Sequence, residues 1–192
     1  MGRALYLPLV AALGLTSCSE EFAYAPATTS NAVVAGVPAA DYPLPPPDGD
    51  VRLATLGVTD AHPVDAPTTV ADAVHVRMIA TNKGTGAWTI DAREQRIVFA
   101  DGIQVAAGNA FADPGPEGPI LRIAPRSVET IDLYFLLPPA FQKPADRPDF
   151  TVLWTVHVPA RTIEESTSFN RLEDETQADM TGRWGGSSSP SR

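Results

Sequence analysis

Hydrophobic and polar residues alternate over short runs in the middle of this chain. In residues 74–80 the even-numbered positions are apolar, and His75 and Arg77 occupy the opposite face. Residues 131–135 and 152–158 alternate with the same period of two. This period is typical of β-strands with one face buried and one face in water. The pattern therefore predicts strands at these three places.

Turn signals separate the apolar runs. Asn82-Lys83-Gly84-Thr85-Gly86 forms one turn cluster, and Asp101-Gly102 is a strong hairpin signal. The other candidate strands are 51–58, 88–90, 96–99, 103–105 and 120–123. Since no segment shows a convincing helical period, the sequence predicts an all-β fold. About seven to eight short antiparallel strands favour a β-sandwich, with a small closed barrel as the alternative.

Large aromatic residues stand at positions that the alternation places inside. These residues are Trp88, Phe99, Phe135 and Trp154, and we expect them in the core. Two segments, Gly108–Gly118 and Leu137–Pro148, are rich in glycine or proline. They are expected to be long surface loops, because proline cannot pair within a central strand.

The segments on either side of residues 50–171 have a different composition. Residues 18–49 are rich in Ala, Thr, Ser and Pro, and residues 172–192 combine an acidic cluster with a Gly/Ser stretch. Neither composition supports a packed core, so both are predicted to be disordered. An extended, proline-rich tether of this length would hold the domain up to roughly 90 Å from its attachment point.

The N-terminus carries an apolar run from Leu5 to Leu15 that follows Arg3 and ends at Cys18. The run is too short for a transmembrane helix, which needs about 20 apolar residues. Its length is that of a secretory signal. With Leu15-Thr16-Ser17-Cys18 at its end, it resembles a bacterial lipoprotein signal. An ordinary signal peptide with an incidental cysteine is the alternative.

The lipoprotein resemblance implies that residues 1–17 are removed and that Cys18 becomes a lipidated N-terminus. Several acyl chains would anchor the protein stably in a membrane. The resemblance also implies an outer-membrane location, since Ser19 stands where an aspartate would signal retention in the inner membrane. Cys18 is the only cysteine in the chain, so an intrachain disulfide is excluded.

The net charge of the chain argues against two classes of partner, nucleic acids and anionic lipid surfaces. The net charge is −9, and removal of residues 1–17 takes away Arg3 and no acidic residue. After that removal the chain is more acidic than the full sequence, and it has no cluster of Lys and Arg residues. Proteins that bind nucleic acids usually carry such a basic surface. The chain also lacks the basic segment that attaches a protein to anionic lipid.

A second resemblance covers roughly residues 50–160. Asn82 closes a predicted strand, Ile123-Ala124-Pro125-Arg126 forms a corner, and residues 131–138 form a strand that ends at Pro138. This order is similar to the extracellular immunoglobulin-like domains of bacterial lipoproteins, although Arg126 stands where Gly is usual. The resemblance implies an immunoglobulin-like antiparallel β-sandwich and no particular activity.

Few residues in the sequence suggest a catalytic or metal-binding site. The sequence has no nucleophile elbow, zinc-protease, phosphate-loop or paired-cysteine motif. If the strands of His75 and His157 were neighbours, the two could form a soft metal site with Met78 or Met180. The ordinary interpretation is that both histidines face solvent. Met78 is also an odd number of residues from His75, so the two side chains would point to opposite faces of the same strand.

Two charged runs are also open to more than one interpretation. Asp48-Gly49-Asp50 hints at calcium but lacks the further ligands that this ion needs. Residues 91–96 hold the densest polar run of the domain. They fit either a recognition patch or a solvated strand crossover.

These observations predict a non-catalytic, lipid-anchored envelope protein that docks to a protein partner or supports an envelope assembly. We expect no cofactor and no metal. A module that binds a small ligand or a metal is the alternative. An enzyme is the third hypothesis, disfavoured because no acid, base and nucleophile stand together in the sequence.

Overall fold

The computed structural model describes residues 24–172 except 29, 47, 64, 109, 114 and 116. These residues form fourteen strands and three short 3-10 turns at Ala92–Glu94, Pro139–Phe141 and Pro144–Asp146. The strands are β1 Tyr24–Pro26, β2 Ala32–Val34, β3 Val37–Pro43, β4 Gly49–Ala61, β5 Ala71–Asn82, β6 Trp88–Asp91, β7 Arg96–Phe99, β8 Gln104–Ala106, β9 Ala110–Ala112, β10 Glu117–Gly118, β11 Ile120–Ile123, β12 Ser127–Leu136, β13 Phe150–Val158 and β14 Arg161–Arg171. The predictions for residues 1–17, for Cys18 and for residues 173–192 lie outside the described residues.

The strands form two antiparallel sheets of seven strands each. One sheet has the order β10-β9-β12-β5-β4-β3-β2. In the other sheet β13 lies between β14 and the β6–β7 segment, with β1, β8 and β11 at the margins. The order β4-β5-β12-β9 opposite β7-β13-β14 is that of strands A-B-E-D and C-F-G in an immunoglobulin constant-type sandwich. The predicted sandwich is confirmed, with more strands than predicted.

The core lies between the two sheets and follows the alternation in the sequence. Trp88, Phe99, Phe135 and Trp154 are all buried there, as predicted. Met78 belongs to the same cluster. The long strands of both sheets thus bury one face, and apolar area removed from water stabilises the fold by about 25 cal/mol per Å².

The prediction that residues 18–49 form a disordered tether is wrong for the described part of that segment. Strand β1 extends the second sheet by pairing with β14, and β3 extends the first by pairing with β4. Tyr24 packs edge-on against Phe150, and Tyr42 packs edge-on against Trp154. Composition concealed these strands because the rings that pack against Tyr24 and Tyr42 lie more than a hundred residues away in the sequence.

Two loop predictions had different outcomes. Residues 108–118 were expected to form a loop but contain β9, which pairs with the central strand β12, and β10. Residues 137–148 contain no strand, as predicted, and form two of the 3-10 turns. The predicted hairpin at Asp101-Gly102 is confirmed, since it joins β7 to β8 and Gly102 has a φ of +86°.

The two ends of the sandwich are held by different contacts. At the end where β1 and β13 begin, which we call the N-terminal end, Arg147 Nη2 donates to Asp72 Oδ2 over 3.0 Å. At the opposite end Asn82 Nδ2 donates to the carbonyls of Gly86 and Ala124. Asn82 thereby joins the predicted turn after β5 to the corner before β12.

Candidate functional site

Three ionisable side chains converge on the outer face of the first sheet. Asp132 on β12 accepts from Arg77 on β5 through both carboxylate oxygens, with Arg77 Nε 2.7 Å from Oδ1 and Nη2 2.8 Å from Oδ2. Nε2 of His75, also on β5, lies 2.8 Å from Asp132 Oδ1. The carboxylate of Asp132 thus contacts both His75 and Arg77, which are successive outward-facing residues of β5.

The register of the strands explains this convergence. Asp132 pairs directly with Arg77, and Tyr134 pairs with His75. On the other side of β12, Asp132 pairs with Phe111 of β9. Since directly paired residues of antiparallel strands point to the same face, all five side chains lie outside the sandwich. The prediction that His75 lies beside Arg77 is confirmed, but the expectation that His75 faces solvent is wrong, since its neighbours on this face leave it only 8 % exposed.

Aromatic rings complete the cluster. Tyr134 stacks on His75 with ring centroids 4.6 Å apart, and Phe111 meets Tyr134 edge-on at 5.4 Å. On its other side His75 pairs with Gly57, after a bulge in β4. We call Phe111, Tyr134, His75, Arg77 and Asp132 the outer-face patch. Ring contacts join Phe111, Tyr134 and His75, and the carboxylate of Asp132 joins His75 to Arg77.

The electrostatics of the patch are dominated by Asp132. Burial acts to raise the pKa of Asp132, but hydrogen bonds from His75 and Arg77 outweigh it and hold the pKa at about 2. The hydrogen bond to Asp132 in turn raises the pKa of Arg77. Asp132 therefore stays ionised at neutral pH and orients its neighbours, and a carboxylate with this pKa is a poor general base.

The other predicted histidine lies elsewhere. His157 is on β13 in the second sheet, where Nε2 is 2.6 Å from Glu94 Oε2 and Nδ1 is 3.0 Å from Thr162 Oγ1. Since β5 and β13 belong to different sheets, the two histidines do not meet. Met78 is buried in the core, and Met180 lies outside the described residues.

The acidic pair near β4 is neutralised by neighbouring cations. Asp48 accepts from Arg161, and Asp50 Oδ2 lies 2.8 Å from Lys83 Nζ. Among the described residues, no group of three or more His, Cys, Asp or Glu side chains is placed to hold a metal ion. The polar run at residues 91–96 forms the 3-10 turn between β6 and β7, with Arg93 paired to Asp91.

Sequence reasoning identified His75 and Arg77 but not their partners in the patch. The alternation did place Asp132 and Tyr134 outward, because Ile131, Leu133 and Phe135 point inward. It gave no register, so nothing indicated that Asp132 faces Arg77. Phe111 was missed since its strand β9 was taken for a loop.

A small cavity lies beside β11 in the described part of the chain. This cavity of about 50 Å³ lies between β11 and the neighbouring strands of the first sheet, which is room for one or two water molecules. None of the described helical segments is long and apolar enough to cross a membrane.

Comparison with known proteins adds no relative. No protein-family model matches the sequence, and no curated protein or solved structure matches it either.

Proposed function

We propose that this protein is a lipid-anchored docking domain of the cell envelope that binds a protein partner through the outer-face patch. Cys18 would carry the lipid, and the sandwich would present the patch on its first sheet. The proposed role is non-catalytic and uses no cofactor. The composition and fixed geometry of the patch are the observation that carries the proposal.

The composition of the patch supports docking. Tyrosine, phenylalanine and arginine are enriched at protein interfaces, and tyrosine and arginine dominate the residues that matter most for affinity. Phe111, Tyr134 and Arg77 are half-buried, so each keeps surface for a partner. Because Asp132 and the ring contacts already fix these side chains, binding would cost little side-chain entropy.

The position of β1 supports a location close to the membrane. Tyr24 begins β1 only six residues after Cys18, and six residues span at most about 20 Å. A lipid on Cys18 would hold the N-terminal end of the sandwich near the bilayer. This distance replaces the 90 Å reach expected from a long tether, and Ser19 supports the outer membrane.

The alternative of a small-ligand or metal module has less support. Ligand sites are usually clefts of about 300–1,000 Å³, far larger than the cavity beside β11. The patch lies on the outer face of a sheet instead, where Phe111, Tyr134 and Arg77 are half-buried, and a sheet face suits a protein surface.

The proposal is tested by affinity purification from detergent-solubilised envelopes. Phe111→Ser removes a half-buried ring without breaking an ion pair, and Val70→Ser, at a 56 % exposed loop position, is the matched control. We expect a defined partner with the wild type and Val70→Ser and its loss with Phe111→Ser. Equal recovery by all three proteins would overturn the proposal, provided that their melting temperatures agree.

A further inference from the structure

The second sheet also has an open outer face, formed by β7, β13 and β14. Leu153 lies at its centre, 37 % exposed, and pairs with Arg96 on one side and with Ser166 on the other. Most other outward positions of β13 and β14 are threonine or serine: Thr151, Thr155, Thr162, Ser166 and Ser168. Short side chains around one exposed leucine make a flat surface.

Two opposite charges flank Leu153 on this face. Arg96 lies on β7, and Glu164 lies on β14 opposite Thr155, two residues along β13 from Leu153. Both side chains are exposed. Neither forms an ion pair with another residue in the described part of the chain. Each is therefore free to pair with a charge on a second molecule.

We propose that a second copy of this chain docks on the face formed by β7, β13 and β14, related by a two-fold axis parallel to β13 near Leu153. This rotation exchanges the β7 and β14 sides of the face. Leu153 of one copy then meets Leu153 of the other. Arg96 of one copy then lies over Ser166 of the other copy. Glu164 of that other copy is two residues, or about 7 Å, further along the same strand. An extended arginine side chain can reach it.

Two independent arguments decide the choice of axis. An axis across the strands would place Arg96 over Arg96 of the second copy, which is repulsive. It would also point the two N-terminal ends in opposite directions. The axis parallel to β13 keeps both ends on one side, as two copies anchored in one membrane require. The second argument rests on the proposed lipid anchor, but the argument from the charge pattern does not.

The size of the face indicates a weak dimer. β13 and β14 are paired over nine residues, about 30 Å of strand. With β7 the face gives roughly 500 Å² per copy, so the interface lies near the lower limit for specific complexes. Confinement to a membrane raises the effective concentration of the copies and compensates for the small area.

Cysteine cross-linking in intact envelopes tests the dimer. The full chain carrying Leu153→Cys is treated with a short bismaleimide, and Val128→Cys, 58 % exposed on the opposite sheet, is the control. We expect a cross-linked dimer with Leu153→Cys only. Adding Arg96→Glu should lower its yield about fivefold, since two exposed ion pairs are lost, and adding Glu164→Arg as well should restore it.

The outcomes separate this inference from the proposed anchor. A yield from Leu153→Cys no higher than that from Val128→Cys, or a charge exchange that fails to restore the yield, would overturn the dimer. The unmutated chain reports on Cys18, because a lipidated cysteine does not react with maleimide. If the unmutated chain reacts with the bismaleimide, Cys18 is not lipidated and the proposed anchor is contradicted. The dimer is still tested in that case by the effect of exchanging the charges of Arg96 and Glu164 on the yield.

Discussion

The side-chain amide of Gln95 bonds to both backbone polar groups of Thr155. Gln95 Nε2 donates to the Thr155 carbonyl, and the Thr155 N–H donates to Gln95 Oε1, each over 3.0 Å. The 3-10 turn at 92–94 interrupts the strand segment beside β13 at this point. Gln95 is fully buried and takes the place of the missing backbone partner. A polar side chain thus completes the sheet inside the protein.

Replacing Gln95 with leucine should strongly destabilise the fold. The substitution leaves the N–H and carbonyl of Thr155 partly buried and without the side-chain partner, and each buried group that loses its partner costs about 1–3 kcal/mol. We expect the free energy of unfolding in urea to fall by about 2–4 kcal/mol. The control is Gln104→Leu at an exposed position of β8, which should change it by less than about 0.5 kcal/mol. Similar losses in both proteins would contradict this role of Gln95.

Asp132 should make stability depend on acid pH. Its pKa is about 2 in the folded protein against an ordinary value of 3.8. Because the folded pKa is the lower one, the contribution is complete above pH 4 and is lost as the pH falls towards 2. The shift corresponds to about 2 kcal/mol.

Chemical denaturation at pH 6 and pH 2 checks the Asp132 prediction. Asp132→Asn should lose about 2 kcal/mol less than the wild type between these two pH values. An identical acid loss in the two proteins would mean that Asp132 is not held in its charged form by His75 and Arg77.

A chain that begins at Asp50 should be much less stable than one that begins at residue 22. The shorter chain lacks β1–β3 and exposes the surfaces of Phe150 and Trp154 that Tyr24 and Tyr42 cover. Burial of two tyrosines contributes about 3 kcal/mol or more. Thermal unfolding of both chains measures the difference. Equal melting temperatures would show that residues 24–49 do not belong to the folded unit.

The sequence could predict those strands that alternate by themselves. Residues 131–135 and 152–158 are examples, since every second side chain faces the core. Strands β1 and β3 could not be found in this way. Tyr42 obtains its contacts from residues more than a hundred positions away, where its hydroxyl donates to the Ser166 carbonyl and accepts from Thr167 Oγ1.

The outer-face patch shows the same limit. Parity placed His75, Arg77, Asp132 and Tyr134 on outward faces of their strands. Which of them meet depends on the register between β5 and β12, which is set by packing across the whole sheet. The role of Gln95 was also invisible, because a polar residue in a polar run gives no sign of burial.

The proposed lipid attachment at Cys18 predicts a simple labelling result. In cells fed an alkyne fatty acid, the wild-type protein should be labelled and Cys18→Ala should not. The reason is that the proposed acyl chains are attached through the thiol and the amino group of Cys18, and Cys18→Ala removes the thiol. Thr16→Ala, a nearby change that keeps the thiol, serves as the control and should retain the label. Equal labelling of the wild type and Cys18→Ala would contradict the anchor.

Photo-cross-linking from the outer-face patch tests the docking proposal most directly. A photoreactive phenylalanine analogue replaces Phe111 in the full chain in living cells, and the same analogue at Val70 is the control. The proposal predicts one defined protein cross-linked from position 111 and absent from position 70, with its yield reduced by Tyr134→Ser. A position 111 that captures no protein, or the same set of proteins as position 70, would contradict it.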